Sequence, residues 1–126
     1  MSSKTAVVVL SDPSTGTDEA LGRVVNALAA AREFAQGGEA LVLFQGAGTR
    51  WPAVPADPAH PAHELHTAMR QQVATVASGG CATAFGATGG VEAEDVKQVS
   101  QNQAPGTAGV ASIGELVRSG YHVLTF

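Results

Sequence analysis

Two apolar runs constrain this chain more than anything else in it. Residues 5–10 (Thr-Ala-Val-Val-Val-Leu) and 40–44 (Ala-Leu-Val-Leu-Phe) are apolar at consecutive positions, not alternate ones. A strand of that kind is buried on both faces, as in a parallel sheet covered by helices on each side. The intervening stretch supplies the crossover. Leu21, Val24, Val25, Leu28, Ala31 and Ala35 recur at helical spacing, with Arg23, Asn26, Arg32 and Glu33 largely off that stripe. Thr17 or Ser14 can cap this helix, Asp18 and Glu19 suit its positive end, and Gly37-Gly38 stops it. The unit is strand–helix–strand, and its crossover is expected to be right-handed.

The rest of the chain continues the alternation. Four prolines between residues 52 and 61 make that stretch irregular, either a functional loop or lid, or a floppy insertion. A helix is expected over 62–71 and a third strand over 73–77. Residues 82–85 can begin a short helix, and 91–100 reads as a further helix with Glu92, Glu94 and Asp95 in its first turn. Residues 102–109 are loop-like, with a weakly signalled short strand near Val110. Ser112-Ile-Gly-Glu115 is a capping-box pattern that opens a last helix, and 121–126 is the closing strand. No internal repeat, low-complexity tract or domain linker is read. The expectation is a single domain over 1–126: an α/β fold, a three-layer α/β/α sandwich with a mostly parallel sheet of about five strands.

Composition narrows the function classes. The 126 residues suit one domain with a continuous core. Only 14% are charged against 44% hydrophobic, much of it alanine and valine, which leaves apolar surface for self-association. Net charge is −4, and no lysine or arginine cluster occurs, so a surface that tracks nucleic-acid phosphates is not expected. One cysteine excludes an internal disulfide and a cysteine-rich zinc site. The N-terminal apolar run, 6–10, is too short for a signal peptide, and no stretch approaches a membrane span. The expected location is the cytoplasm.

The candidate chemistry centres on Ser78-Gly79-Gly80-Cys81-Ala82-Thr83, which holds the sole thiol just after the third strand. Ligands of open α/β sheets bind outside the carboxyl ends of strands, so Cys81 is expected on that rim. A helix starting at Ala82 would aim unpaired N–H groups at the sulfur, and Gly79 and Gly80 would let the backbone approach a bound sulfur or a partner. The alternative is a small buried hydrophobe. No lysine or arginine lies within ten residues, so a charged helper has to come from Arg50, Arg70 or the histidines. His60, His63 and His66 are spaced by three, without the His-Glu-x-x-His pattern. They read as solvated residues at a helix start, as one base or charge partner for Cys81, or as part of a metal site; no metal centre or cofactor is expected. Gly46-Ala-Gly48 lacks the third glycine of a dinucleotide fingerprint, and there is no Walker lysine. Ser11 is first a turn residue, at the end of the first strand. Trp51 can wall a pocket or an interface. The candidate set is therefore Cys81, with Gly79, Gly80, Ala82, Ser11, Gly46, Gly48, Arg50, Trp51, His60 and His63 around it.

Three features together resemble the DsrE/DsrF-like family of small sulfur-relay proteins: the opening strand ending in a Ser/Asp turn before a long alanine-rich helix (7–35), the cysteine just after the third strand, and the close Gly114-Glu-Leu-Val-Arg-Ser-Gly-Tyr-His-Val-Leu-Thr-Phe126. The resemblance spans nearly the whole chain. It implies an oligomeric α/β/α domain in which a cysteine after the third strand accepts sulfur as a persulfide and hands it to a partner; Cys81 is the matching position. It implies sulfur-donor and sulfur-acceptor proteins as partners, related subunits among them, toward tRNA thiolation or sulfur oxidation; the charge and hydropathy pattern separately gives the expectation of no direct nucleic-acid or membrane contact. Residues 79–83 and 46–61 depart from the pattern of the best-known members. A non-catalytic binding or assembly module of the same fold, with a structural cysteine, is the alternative, and a hydrolase using the histidines is a third reading.

Overall fold

The computed structural model describes residues 3–126; Met1 and Ser2, part of the N-terminal segment read above for a leader, lie outside the described residues. The elements are β1 (Ser3–Val9), α1 (Asp18–Gly37), β2 (Gly38–Phe44), α2 (His63–Gln72), β3 (Ala74–Ser78), α3 (Gly79–Ala84), α4 (Thr88–Ala93), β4 (Lys97–Val99), α5 (Ile113–Arg118) and β5 (His122–Thr125). All pairings are parallel and the strand order is β4-β3-β2-β1-β5. The fold is an α/β/α sandwich, as expected.

Topology distributes the helices. The chain steps from β1 to β2 to β3 to β4 in one direction, so right-handed crossovers put α1, α2 and α4 on one face of the sheet. The return from β4 to β5 crosses the other way and puts α5 on the opposite face. Residues alternate between the two faces along each strand. Val7, Val9, Val42, Phe44 and Ala77 meet Val24, Leu28, Ala31, Met69 and Val91 on the first face. Alanine at positions 20, 27 and 31 of α1 is buried, which brings the helix close to the strands. On the second face the buried apolar cluster is small, Val8, Leu43 and Ala111, with Val76, Val99, Ile113, Leu116 and Val123 half-buried against it. A six-residue α5 is too short to roof five strands.

Three local expectations are corrected. The helix over 91–100 is instead the short α4, a turn in which Asp95 takes φ 55°, and the edge strand β4. β3 presents an open edge of N–H and C=O groups, and pairing Val76 to Lys97 and Ser78 to Val99 satisfies it. Arg70 donates to the carbonyls of Glu94 and Asp95 and so caps the end of α4. The weak strand near Val110 is a single antiparallel bridge to Asn102.

The third correction concerns residues 51–62, which are a repeat and not irregular chain. They read (Trp-Pro-Ala)(Val-Pro-Ala)(Asp-Pro-Ala)(His-Pro-Ala). Each first residue accepts a hydrogen bond from the next first residue: Val54 N donates to Trp51 O at 2.8 Å, Asp57 to Val54 at 3.3 Å, His60 to Asp57 at 2.9 Å and His63 to His60 at 3.0 Å. Proline at the second position fixes φ for a turn, and its missing N–H blocks continuation into an α-helix. The result is a ribbon of consecutive turns that delivers the chain into α2.

The unequal faces predict unequal mutational costs. Phe44→Ala, in the buried core of the first face, is expected to cost about 3–5 kcal/mol. Val123→Ala on the thinner face is expected to cost about 1 kcal/mol or less. Urea denaturation of both variants checks this; equal losses would contradict the asymmetry.

Candidate functional site

Because every strand is parallel, all five carboxyl ends open on one rim. Cys81 is there, half-buried. Its local setting differs from the expectation. α3 starts directly after β3, at Gly79, so Cys81 is the third residue inside a six-residue helix and not a residue ahead of one. The thiol opens on a groove of about 300 Å3 walled by Thr83, Phe85, Thr107, Ala108 and Val110. No charged side chain lines this groove.

The glycine pair has a structural occupant. Gly80 N donates to Gly109 O at 2.7 Å, and a Cβ on Gly80 would stand 2.4 Å from that oxygen. A Cβ on Gly79 would stand 2.5 Å from Ser100 Oγ. Ser78 Oγ accepts from Ala111 N at 3.0 Å. Residues 100–111 therefore lie against the pair, and the close approach that two glycines permit is made by the chain itself. Ala82 is wholly buried in the first-face core and contributes no side chain to the groove.

A second neighbourhood gathers Ser11, Arg50 and Trp51. Gly46, at φ 58°, and Gly48, pressed on the Val9 carbonyl, shape the 3-10 turn Gly46–Arg50 that presents them. The buried Trp51 Nε1 donates to Ser11 O at 2.8 Å and lies 3.1 Å from Ser11 Oγ. Arg50 Nη1 reaches Asp12 Oδ2 at 3.0 Å and Ser14 Oγ at 3.1 Å. Its Nε donates to Phe85 O at 3.1 Å, and its guanidinium stands 5.3 Å from the Phe85 ring centroid. Asp12 accepts from both Ser14 N and Arg50. Hydrogen bonds from Ser14 first, and Arg50 second, hold its carboxyl below the usual value. Arg50 thus ties the end of β1 to Phe85, a wall of the thiol groove.

The histidines serve elsewhere. His60 Nδ1 accepts from Ala62 N at 3.1 Å, and its ring meets Trp51 edge-on at 6.2 Å. His63 Nδ1 donates to Pro55 O at 2.7 Å. His66 is buried, and its Nε2 has no hydrogen-bond partner. None of the three lines the thiol groove, and Arg70 is engaged with the end of α4. Among the described residues no three His, Cys, Asp or Glu side chains converge on a point that could hold a metal ion. Residues 106–110, which wall the groove opposite Phe85, were legible only as loop; the glycines at 106 and 109, both at positive φ, were the available signal.

No family model matches the chain, and no curated protein matches it. Among solved structures, the chain is similar to a conserved protein of unknown function from Bacteroides thetaiotaomicron, at 13% identity and a TM-score of 0.60, over 98% of this chain and 94% of that one. At that identity the likeness speaks for the fold alone.

The packing of residues 100–111 on α3 gives a direct test. Gly80→Ala is expected to destabilise by about 1–3 kcal/mol, because the new methyl collides with a backbone carbonyl. Gly22→Ala, in open space on α1, is expected to stabilise by roughly 0.5–1 kcal/mol through helix propensity. Thermal melts of the two variants should move in opposite directions; a neutral Gly80→Ala would show that the loop is not held there.

Proposed function

We propose that this chain is a DsrE-like cytoplasmic sulfur carrier in which Cys81 accepts a sulfane sulfur and passes it to a partner protein. The observation that carries the reading is the half-exposed sole thiol in the wall of a groove on the carboxyl rim of a parallel sheet. In the loading step the Cys81 thiolate attacks the outer sulfur of a donor persulfide. The new S–S bond forms on Cys81 as the donor's S–S bond breaks, and the donor leaves as a thiolate, so the exchange needs no external oxidant. In the unloading step an acceptor nucleophile takes the outer sulfur and Cys81 leaves as thiolate. The uncharged lining favours delivery by a protein loop over a small anionic donor, since a groove without a cation gives an anion nothing to pair with.

A second reading has its own support. Leu41, Leu43, Val76, Val99 and Leu116 line an apolar cleft of about 140 Å3 on the thinly covered face. An assembly or binding module that works through this face, as a homo-oligomer, needs no reactive thiol. The packing of residues 100–111 on Gly79 and Gly80 accounts for those glycines without any ligand.

Intact-mass spectrometry separates the two. Incubation with a cysteine desulfurase and cysteine is expected to add one sulfur atom to the native protein and none to Cys81→Ser. No gain on the native protein, together with slow labelling of Cys81 by a neutral thiol reagent before unfolding and fast labelling after it, would make the cysteine structural and favour the assembly reading.

A further inference from the structure

Residues 51–66 hold three imidazoles, and two of them fit their places only in the neutral form, with a single ring proton. A backbone N–H can only donate, so His60 Nδ1, which accepts from Ala62 N, has to carry a lone pair. His66, 4% exposed, leaves its Nε2 without a partner in the interior. His63 is different: Pro55 O can only accept, so its Nδ1 already carries a proton, and a second proton on Nε2 leaves that bond intact. These residues sit on one continuous device. The ribbon of turns ends in the His63 N to His60 O bond, and α2 begins at the same His63, with His66 N bonded to Ala62 O. At its other end the ribbon begins at Trp51, held to Ser11, next to Arg50, held to Asp12 and Phe85.

We propose that the ribbon and the first turn of α2 form an acid-opened clasp: it is closed while His60 and His66 are neutral, and it lifts from the rim when they take up protons. A proton on His60 Nδ1 sets two donors against each other at Ala62. Asp18 lines the same small cavity as His60, Trp51 and Val54, and it is the carboxylate available to a charged His60 once that bond is lost. Burial, Arg70 and His63 all act against an imidazolium at His66. The route to water is to raise the turn that carries it. The sign follows from the same facts. Burial first, then Arg70 and His63, push the His66 value down from 6.5 to about 4 in the closed form. The closed form keeps its full advantage above pH 6.5, and the open-to-closed ratio grows about tenfold for each unit that pH falls from there toward 4. This clasp is independent of whether Cys81 carries sulfur.

Trp51 is the only tryptophan, so its emission reports the clasp directly. On titration from about pH 7 to about pH 4.5, across which the closed form loses its advantage, the expected result is a reversible red shift while far-UV circular dichroism holds. Hydrogen exchange over the same range should show the Val54, Asp57, His60 and His63 amides losing protection ahead of those of β2. The double variant His60→Asn and His66→Leu keeps an acceptor for Ala62 and a filled interior, and its emission should stay flat. An unmoved emission in the native protein, a shift that coincides with loss of the β2 amides, or an equal shift in the double variant would each overturn the clasp. Should the variant fail to fold, the order of amide loss in the native protein decides by itself.

Discussion

A parallel sheet has to be closed by crossovers that carry the chain back over it, and the hand of those crossovers governs this structure. Three successive connections step the same way and load α1, α2 and α4 onto one face. One connection returns, and it brings only the short α5 to the other. The deep core on the first face, the shallow one on the second and the apolar cleft there all follow from that count. The same constraint sends all five strand ends to one rim, so the loops that could do chemistry are gathered without any further device.

On that rim the chain spends its polar groups on holding itself together. Arg50 binds Asp12, Ser14 and the Phe85 carbonyl, and Trp51 binds Ser11. Three segments far apart in sequence meet through two adjacent side chains. Buried donors and acceptors have to be satisfied, and a tryptophan N–H on a backbone carbonyl does so while filling volume. The thiol groove is the exception: it is apolar, walled by Phe85 and smaller residues, and lined by no charged side chain. Cys81 lines that groove, free and half-buried.

The ribbon between β2 and α2 shows how a proline-dense stretch can be ordered. Prolines at 52, 55, 58 and 61 are three apart, and each sits second in a turn whose ends are the residues flanking each Pro-Ala pair. The regularity is present in the sequence, but proline is both a breaker of helices and a favoured second residue of a turn, and only its spacing of three points to the second role. Residues 96–99 carry no such spacing. Val96 and Val99 suit a helix face or a strand, and the unpaired edge of β3, invisible locally, decided between them.

By itself the sequence determined the class and the order of most elements, β4 excepted. Consecutive apolar runs around an amphipathic helix leave few alternatives to a strand–helix–strand unit, because burial on both faces and helical periodicity are properties of neighbouring residues. It also placed Cys81 on the rim, since a residue so soon after a parallel strand can lie nowhere else. Tertiary structure decided the rest: that residues 100–111 occupy the space over Gly79 and Gly80, that the histidines turn to the ribbon and the interior and not to the thiol, and that Arg50 reaches Phe85. Each of these depends on which distant segment fills a given volume. That is settled by packing and by the need to pair every buried polar group, neither of which leaves a periodic mark on the chain.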